Sequence, residues 1–233
     1  MKYYFKNLKP IIILAHCKEP FLEEKNKQLD NLVSSIDKSK YFILLSANSR
    51  IPNEIINKCN YYQQDSFNYN KPHYSFAIHL KLNLAIHNLM FHGFKQALCL
   101  EYDAPIGCHE SIIDKASSYF EQDSDLKFYG HDWKQPNSAN QGHWFADLRF
   151  LLVEIGLLNF YTSGEKLNGV LGERLFYHMI ASKGLEKIKI VSEDEFFLPH
   201  VRPQMFQAGG DLMLKEVNPG EFKYTREDGS IFK

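Results

Sequence analysis

The apolar residues of this chain fall into short continuous runs separated by longer stretches of helical periodicity. Residues 11–15 are uniformly apolar and follow Pro10, which predicts a strand buried on both faces, as in a parallel sheet. Pro20 opens a helical pattern whose stripe is Leu22, Leu29, Leu32, Val33 and Ile36. Residues 41–45 predict a second strand, Pro52 begins a short helix through Ile56, and 60–64 predict a short third strand. The strongest helix signal covers 74–91, where Ile78, Leu82, Ala85, Ile86 and Leu89 recur at helical spacing and Gly93 is placed to end it. Residues 97–100 then make an apolar strand that closes on Glu101-Tyr102-Asp103.

A helix over 110–120 and a strand over 126–129 follow. Residues 135–142 are rich in Pro, Ser, Asn and Gly and predict a loop. An apolar stretch over 144–158, a helix over 171–181 and a strand over 188–191 come next, and Glu193-Asp194-Glu195 reads as a solvated acidic turn. The tail carries turn signals at Gly209-Gly210, Asn218-Pro219-Gly220 and Asp228-Gly229. The last of these lies between Phe222-Lys223-Tyr224 and Ile231-Phe232, which suggests a hairpin.

Strands alternating with helices imply an α/β fold with an open, mostly parallel sheet flanked by helices. The expected organisation is one domain over 1–203 and a small β-hairpin extension over 204–233. Ligands of such sheets bind at the carboxyl ends of the strands. That directs attention to His16-Cys17-Lys18-Glu19, Ser46-Ala47-Asn48, Glu101-Tyr102-Asp103 and Gly130-His131-Asp132.

Composition narrows the partners. The 233 residues are 44% hydrophobic and 24% charged, and the net charge of −1 lacks the Lys and Arg excess of a nucleic-acid binder. No segment reaches the roughly 18 apolar residues of a membrane span, which leaves peripheral membrane contact open. Cys17, Cys59, Cys99 and Cys108 form no C-x-x-C pair, and this usage fits a reducing cytoplasm. Leu14-Ala15-His16-Cys17 faintly resembles a lipoprotein cleavage box, but the apolar stretch before it is too short for a signal-peptide core.

Glu101 and Asp103 stand two apart at the end of an apolar strand, and alternation would send both to one side. Partly solvated there, they could face Mg²⁺ or Mn²⁺, which prefer carboxylate oxygens. Alternatively, Glu101 pairs with a lysine and Asp103 caps the turn before Pro105.

The segment His73-Tyr74-Ser75-Phe76-Ala77, the amphipathic helix, Gly93 and the strand closing on Glu101-Tyr102-Asp103 resemble the core of GT-A glycosyltransferases, the family 2-like enzymes in particular. The resemblance spans roughly residues 11–191 and implies a GT-A-like (Rossmann-like) fold. It also implies a glycosyltransferase that moves a sugar from a nucleoside-diphosphate sugar to a glycan or other hydroxyl acceptor, with Mn²⁺ or Mg²⁺. Asp103 matches the last Asp of the family's Asp-x-Asp motif, which holds metal and diphosphate; Glu101 replaces the first. Gly172-Glu173-Arg174 looks like the family's Glu-Asp helix start, with Arg174 in place of the second acid. The match makes Glu173 the general base, although an acid at a helix start also simply suits the macrodipole.

Asp132 and Asp147 stand behind Glu173 as bases. By the same resemblance, His16 and Lys18 after the first strand, Ser46 and Asn48 after the second, and Asp65 after the third could meet the base and ribose, although His16 reads slightly better as a structural histidine and Asp65 suits any loop. His73 and Lys81 could reach phosphate, though Lys81 equally suits a solvated helix position. Trp144 could stack on an acceptor sugar or sit in the core. His200 could complete the metal site or be an ordinary loop histidine. A nucleotidyltransferase or a dehydrogenase would want glycines after the first strand, and His16-Cys17-Lys18-Glu19 has none. A catalytically inactive GT-A-like binding module remains as the alternative.

Overall fold

The structure, a computed structural model, describes residues 5, 7–15, 22–47, 50–64, 74–132, 137–156, 172–197, 213–218 and 221–225. Its elements run β1 (Lys9–Ala15), α1 (Leu22–Ser34), β2 (Tyr41–Ala47), α2 (Asn53–Ile56), β3 (Tyr61–Gln64), α3 (Tyr74–Phe91), β4 (Gln96–Glu101), α4 (Cys108–Gln122), β5 (Phe128–His131), β6 (Trp144–Asp147), α5 (Gly172–Ala181), β7 (Ile188–Val191), α6 (Glu193–Phe197), β8 (Met213–Asn218) and β9 (Glu221–Thr225).

The first seven strands form one sheet in the order β3-β2-β1-β4-β6-β5-β7. β3, β2, β1 and β4 pair in parallel, as do β5 and β7, whereas β6 is antiparallel to both β4 and β5. The continuous apolar runs of β1 and β2 have their cause here: Ile11–Ala15 and all of β2 are buried, covered on both faces. On one face, Ile11, Ile13, Ile43, Leu45, Leu98, Leu100, Tyr129 and Phe145 pack with residues of α1, α4 and α6. On the other, Ile12, Leu14, Phe42, Leu44, Cys99, Phe128 and Trp144 pack with α3, α5 and a π-helical turn, Phe150–Glu154. The two-residue alternation along each strand delivers one set to each layer.

The predicted stripe of α3 is buried as expected, at Ile78, Leu82, Ala85, Ile86 and Leu89. One reading of the sequence is corrected: Glu193-Asp194-Glu195 is not a loop turn but the first turn of α6, where three acids, still wholly or partly exposed, complement the helix dipole while Phe196 and Phe197 enter the core. The apolar stretch after residue 144 divides into β6 and the π-helical turn, and Asp147 Oδ1 accepts the Phe150 N–H at 2.9 Å between them.

β8 and β9 form a separate antiparallel two-stranded sheet. Its connection falls on the Asn218-Pro219-Gly220 signal; Asp228, Gly229, Ile231 and Phe232 lie outside the described residues. Among the described residues no helix is long and apolar enough to cross a membrane.

Candidate functional site

The central strand β4 carries an uninterrupted apolar run and ends in an acid, so its last residue is the first that can meet a polar ligand. Tyr102 N–H continues the ladder onto Leu14 C=O at 3.0 Å, and Ala104 N–H then bonds Glu101 C=O at 3.0 Å, closing a turn over residues 101–104. Asp103 therefore sits in a turn just past the strand. It is not the strand's alternation that brings it beside Glu101. Nor is it half solvated: Asp103 is only 3% exposed, while Glu101 is partly buried.

The opposite wall comes from the segment joining β5 to β6. Residues 138–143 are all buried, which is unusual for a loop because its backbone polar groups must then be satisfied internally. They are. Asn140 N–H bonds His131 C=O at 2.8 Å, and Asn140 Oδ1 accepts from Gly142 N–H at 2.8 Å and His143 N–H at 3.1 Å. Trp144 Nε1–H reaches Gln141 C=O at 2.8 Å. Gly142 is pressed against β4: a Cβ there would overlap the Glu101 carboxylate. The bare glycine is what lets the acid lie across the loop.

Together these elements gather Glu101, Asp103 and His143, whose ligand atoms all lie within 4.8 Å of one another. His143, 0% exposed, places Nε2 3.9 Å from Asp103 Oδ1. That is too long for a hydrogen bond. Donors sharing a divalent ion at about 2.0–2.6 Å from it lie roughly 3–4.5 Å apart, so the spacing suits one. Two carboxylates and an imidazole form a donor set that can hold a metal. Behind His143 lies His131, with Nε2 3.3 Å from His143 Nδ1 and Nδ1 2.6 Å from Asp132 C=O. The two rings lie nearly parallel, 5.4 Å between centroids, and Phe196 and Phe197 of α6 wall them in, with Phe197 edge-on to His143 at 5.1 Å.

Of the residues singled out in the sequence, the structure brings Glu101 and Asp103 into this cluster. Asp132 follows β5 on the same edge of the sheet; its N–H bonds Val191 C=O at 3.0 Å, and its carbonyl holds His131. Asp147 is corrected. Because β6 runs antiparallel, Asp147 pairs with Gln96 at the amino end of β4. Five strand residues, about 17 Å, separate it from Glu101. Its carboxylate caps the π-helical turn, so it is not a base for this site.

Ser46 is also corrected. It is fully buried, and its Oγ accepts from Gln63 Nε2 at 2.7 Å in a network that continues to Lys81 C=O and Asn88, which ties β2, β3 and α3 together instead of lining a ligand surface. Lys81 is not a solvated helix residue: it is 0% exposed and its Nζ donates to Ala15 C=O, at the carboxyl end of β1. Trp144 is a core residue and offers no face to an acceptor.

Glu173 lies in the first turn of α5. The helix is followed by β7 after a short 3₁₀ turn and packs Phe176 against Phe128 at 5.7 Å. The Glu173 side chain lies outside the described residues, as do His16, Lys18, Asn48, Asp65, His73 and His200. Sequence reasoning missed His143. The only signal for it was a Gly-His pair set directly before an aromatic strand.

No family model matches the sequence, and no curated protein matches it. Solved structures do. A cytidylyltransferase from Leptospira borgpetersenii superposes with a TM-score of 0.51 at 12% identity, over 86% of this chain and 84% of that one. The glycosyltransferase GlyE of Streptococcus pneumoniae superposes with a TM-score of 0.50 at 10% identity, over 82% of this chain and 46% of that one, so the chain spans just under half of GlyE. At these identities the likeness is one of fold.

Proposed function

Proceeding from a chain that has the GT-A-like α/β fold, we propose that it is a glycosyltransferase that moves a sugar from a nucleoside-diphosphate sugar, such as a UDP or GDP sugar, to a hydroxyl of a glycan or other acceptor. The observation that carries this reading is the Glu101–Asp103–His143 cluster at the carboxyl edge of the central strand, where open α/β sheets bind their ligands.

In the transfer, the bond from the anomeric carbon to the diphosphate oxygen breaks, a bond to the acceptor oxygen forms, and the acceptor proton leaves. Asp103, Glu101 and His143 would hold a divalent cation, which would supply positive charge where the departing diphosphate gains negative charge. The burial of Asp103 and His143 strengthens that field by excluding water. Glu173 takes the acceptor proton as general base, with Asp132 next in line. His16, Lys18, Asn48, Asp65 and His73 belong to segments that follow β1, β2 and β3 and are assigned to the nucleotide; His200 is assigned as an additional ligand. Work in the cytoplasm fits the cysteine usage.

A thermal-shift series with UDP, GDP and CDP, with and without Mn²⁺, tests the reading. A ligand that binds only the folded state raises Tm. The expected result is a metal-dependent rise with one nucleoside diphosphate, abolished by Asp103→Asn because a neutral amide is a poor ligand for a hard cation. Absence of any shift at millimolar nucleotide sinks the proposal.

The cytidylyltransferase likeness favours a second reading, nucleotidyl transfer to a sugar phosphate. The glycine-free His16-Cys17-Lys18-Glu19 segment weighs against it, since a triphosphate wants close approach to backbone N–H groups. Pyrophosphate release from a nucleoside triphosphate and a sugar phosphate would establish that alternative. Nucleotide binding without any turnover would mark an inactive binding module.

A further inference from the structure

We propose that His131 is a positioning residue: it fixes the tautomer of His143 so that Nε2 of His143, carrying a lone pair, becomes the nitrogen ligand of the cation site. This rests on the cation-binding part of the reading above and extends it to the residue behind the nitrogen ligand.

The assignment follows from hydrogen-bond partners, read in order. His131 Nδ1 lies 2.6 Å from the carbonyl oxygen of Asp132. A carbonyl only accepts, so Nδ1 carries the proton. In a neutral ring, Nε2 of His131 is then an acceptor. It lies 3.3 Å from Nδ1 of His143, which must therefore donate. That leaves Nε2 of His143 with its lone pair directed at the side of the site where Asp103 Oδ1 stands, 3.9 Å away. A lone pair there, with a carboxylate oxygen 3.9 Å away, is a spacing at which two donors can share one cation.

The arrangement is rigid at each link. The Asp132 backbone is tied to β7 through Val191, the His143 backbone is tied to Asn140 Oδ1, and Phe196 and Phe197 hold the ring planes. Metal-ligating histidines generally donate their second nitrogen to an oriented partner, and a histidine in that role makes the ligand's identity depend on a neighbour two strands from the acids. The same donor set ranks metals. An imidazole nitrogen suits Mn²⁺ better than Mg²⁺, which holds to oxygen ligands and water. The site should therefore bind Mn²⁺ more tightly than Mg²⁺, and lose that preference with the nitrogen.

Mn²⁺ titration of the purified chain, followed by electron paramagnetic resonance, tests this without any sugar or turnover. Four proteins suffice: wild type, His143→Ala, His131→Phe and His131→Gln, each checked for folding by circular dichroism. Phenylalanine keeps the ring's bulk and removes the acceptor; glutamine offers an oxygen where Nε2 stood. Wild type should bind, His143→Ala and His131→Phe should bind about 10–100-fold more weakly, and His131→Gln should recover most of the loss. Wild-type affinity in folded His131→Phe, or no recovery in folded His131→Gln, overturns the proposal.

Nitrogen-15 NMR of the wild-type imidazoles keeps the matter decidable should a variant not fold. Both rings should carry the proton on Nδ1, with the His143 Nε2 signal broadened by Mn²⁺; an Nε2–H tautomer at His143 overturns the assignment. If Mn²⁺ binding depends on both histidines but no nucleotide raises Tm, the positioning role stands and the glycosyltransferase reading falls.

Discussion

Gly142 and Glu101 are in contact across the site in a way only a residue without a side chain permits. Gly142→Ala must push the carboxylate aside. It should weaken Mn²⁺ binding by about tenfold or more while leaving the circular dichroism spectrum unchanged, since displaced supporting groups typically cost metal sites that much. A titration of both proteins checks it, and equal affinities would mean that Glu101 is not a ligand. At this scale the acids were legible, because two carboxylates closing an otherwise apolar strand stand out against their surroundings. His143 was not. Its importance depends on β6 entering the sheet reversed, so that the residue preceding the strand meets the carboxyl end of β4. The same reversal is why Asp147 was misjudged: in a parallel strand it would have ended on the site edge, and here it ends on the other.

Among the elements, α6 shows how little sequence a wall of the site needs. It has five residues, and its two phenylalanines close over both histidines. Phe197→Ala should lower unfolding free energy by roughly 3–5 kcal/mol, the usual loss for a buried Phe, and loosen Mn²⁺ binding with it. Chemical denaturation beside a metal titration measures both; a stability loss with unchanged affinity would make the wall purely structural.

Element α5 carries the base assignment. Glu173→Gln should leave nucleotide binding nearly intact and slow transfer by roughly 10²–10⁴-fold, the contribution expected of a general base. Rates within threefold of wild type would pass the role to Asp132. The long α3 was readable because its apolar stripe, Ile78 to Leu89, repeats over about three turns. α6 was not, because one turn of helix with three acids at its start has the same composition as a solvated bend.

Across the whole molecule, the alternation of apolar runs and helical periods was enough to give the α/β layering and the sheet edge on which ligands bind. It could not give strand order, since a four-residue strand such as β6 carries no mark of its direction. The tail illustrates the same limit: three turn signals compete there, and the described hairpin closes on Asn218-Pro219-Gly220.

The reversed strand also sets a timetable. β6 lies between β4 and β5, yet it follows both in the chain. As the chain emerges from the ribosome, the apolar edge of β4 therefore has no neighbour until residues 144–147 arrive, and β5 has nothing to dock on. An exposed strand edge of this kind invites pairing with other chains. A chain stopped at residue 140 should accordingly aggregate, whereas one that continues through residue 197 should stay monomeric, which sedimentation of the two fragments can establish. Should the shorter chain prove as soluble as the longer, the edge is protected by other means. The two histidines reach their places only in that last step, so the site cannot capture an ion before the sheet around it has closed.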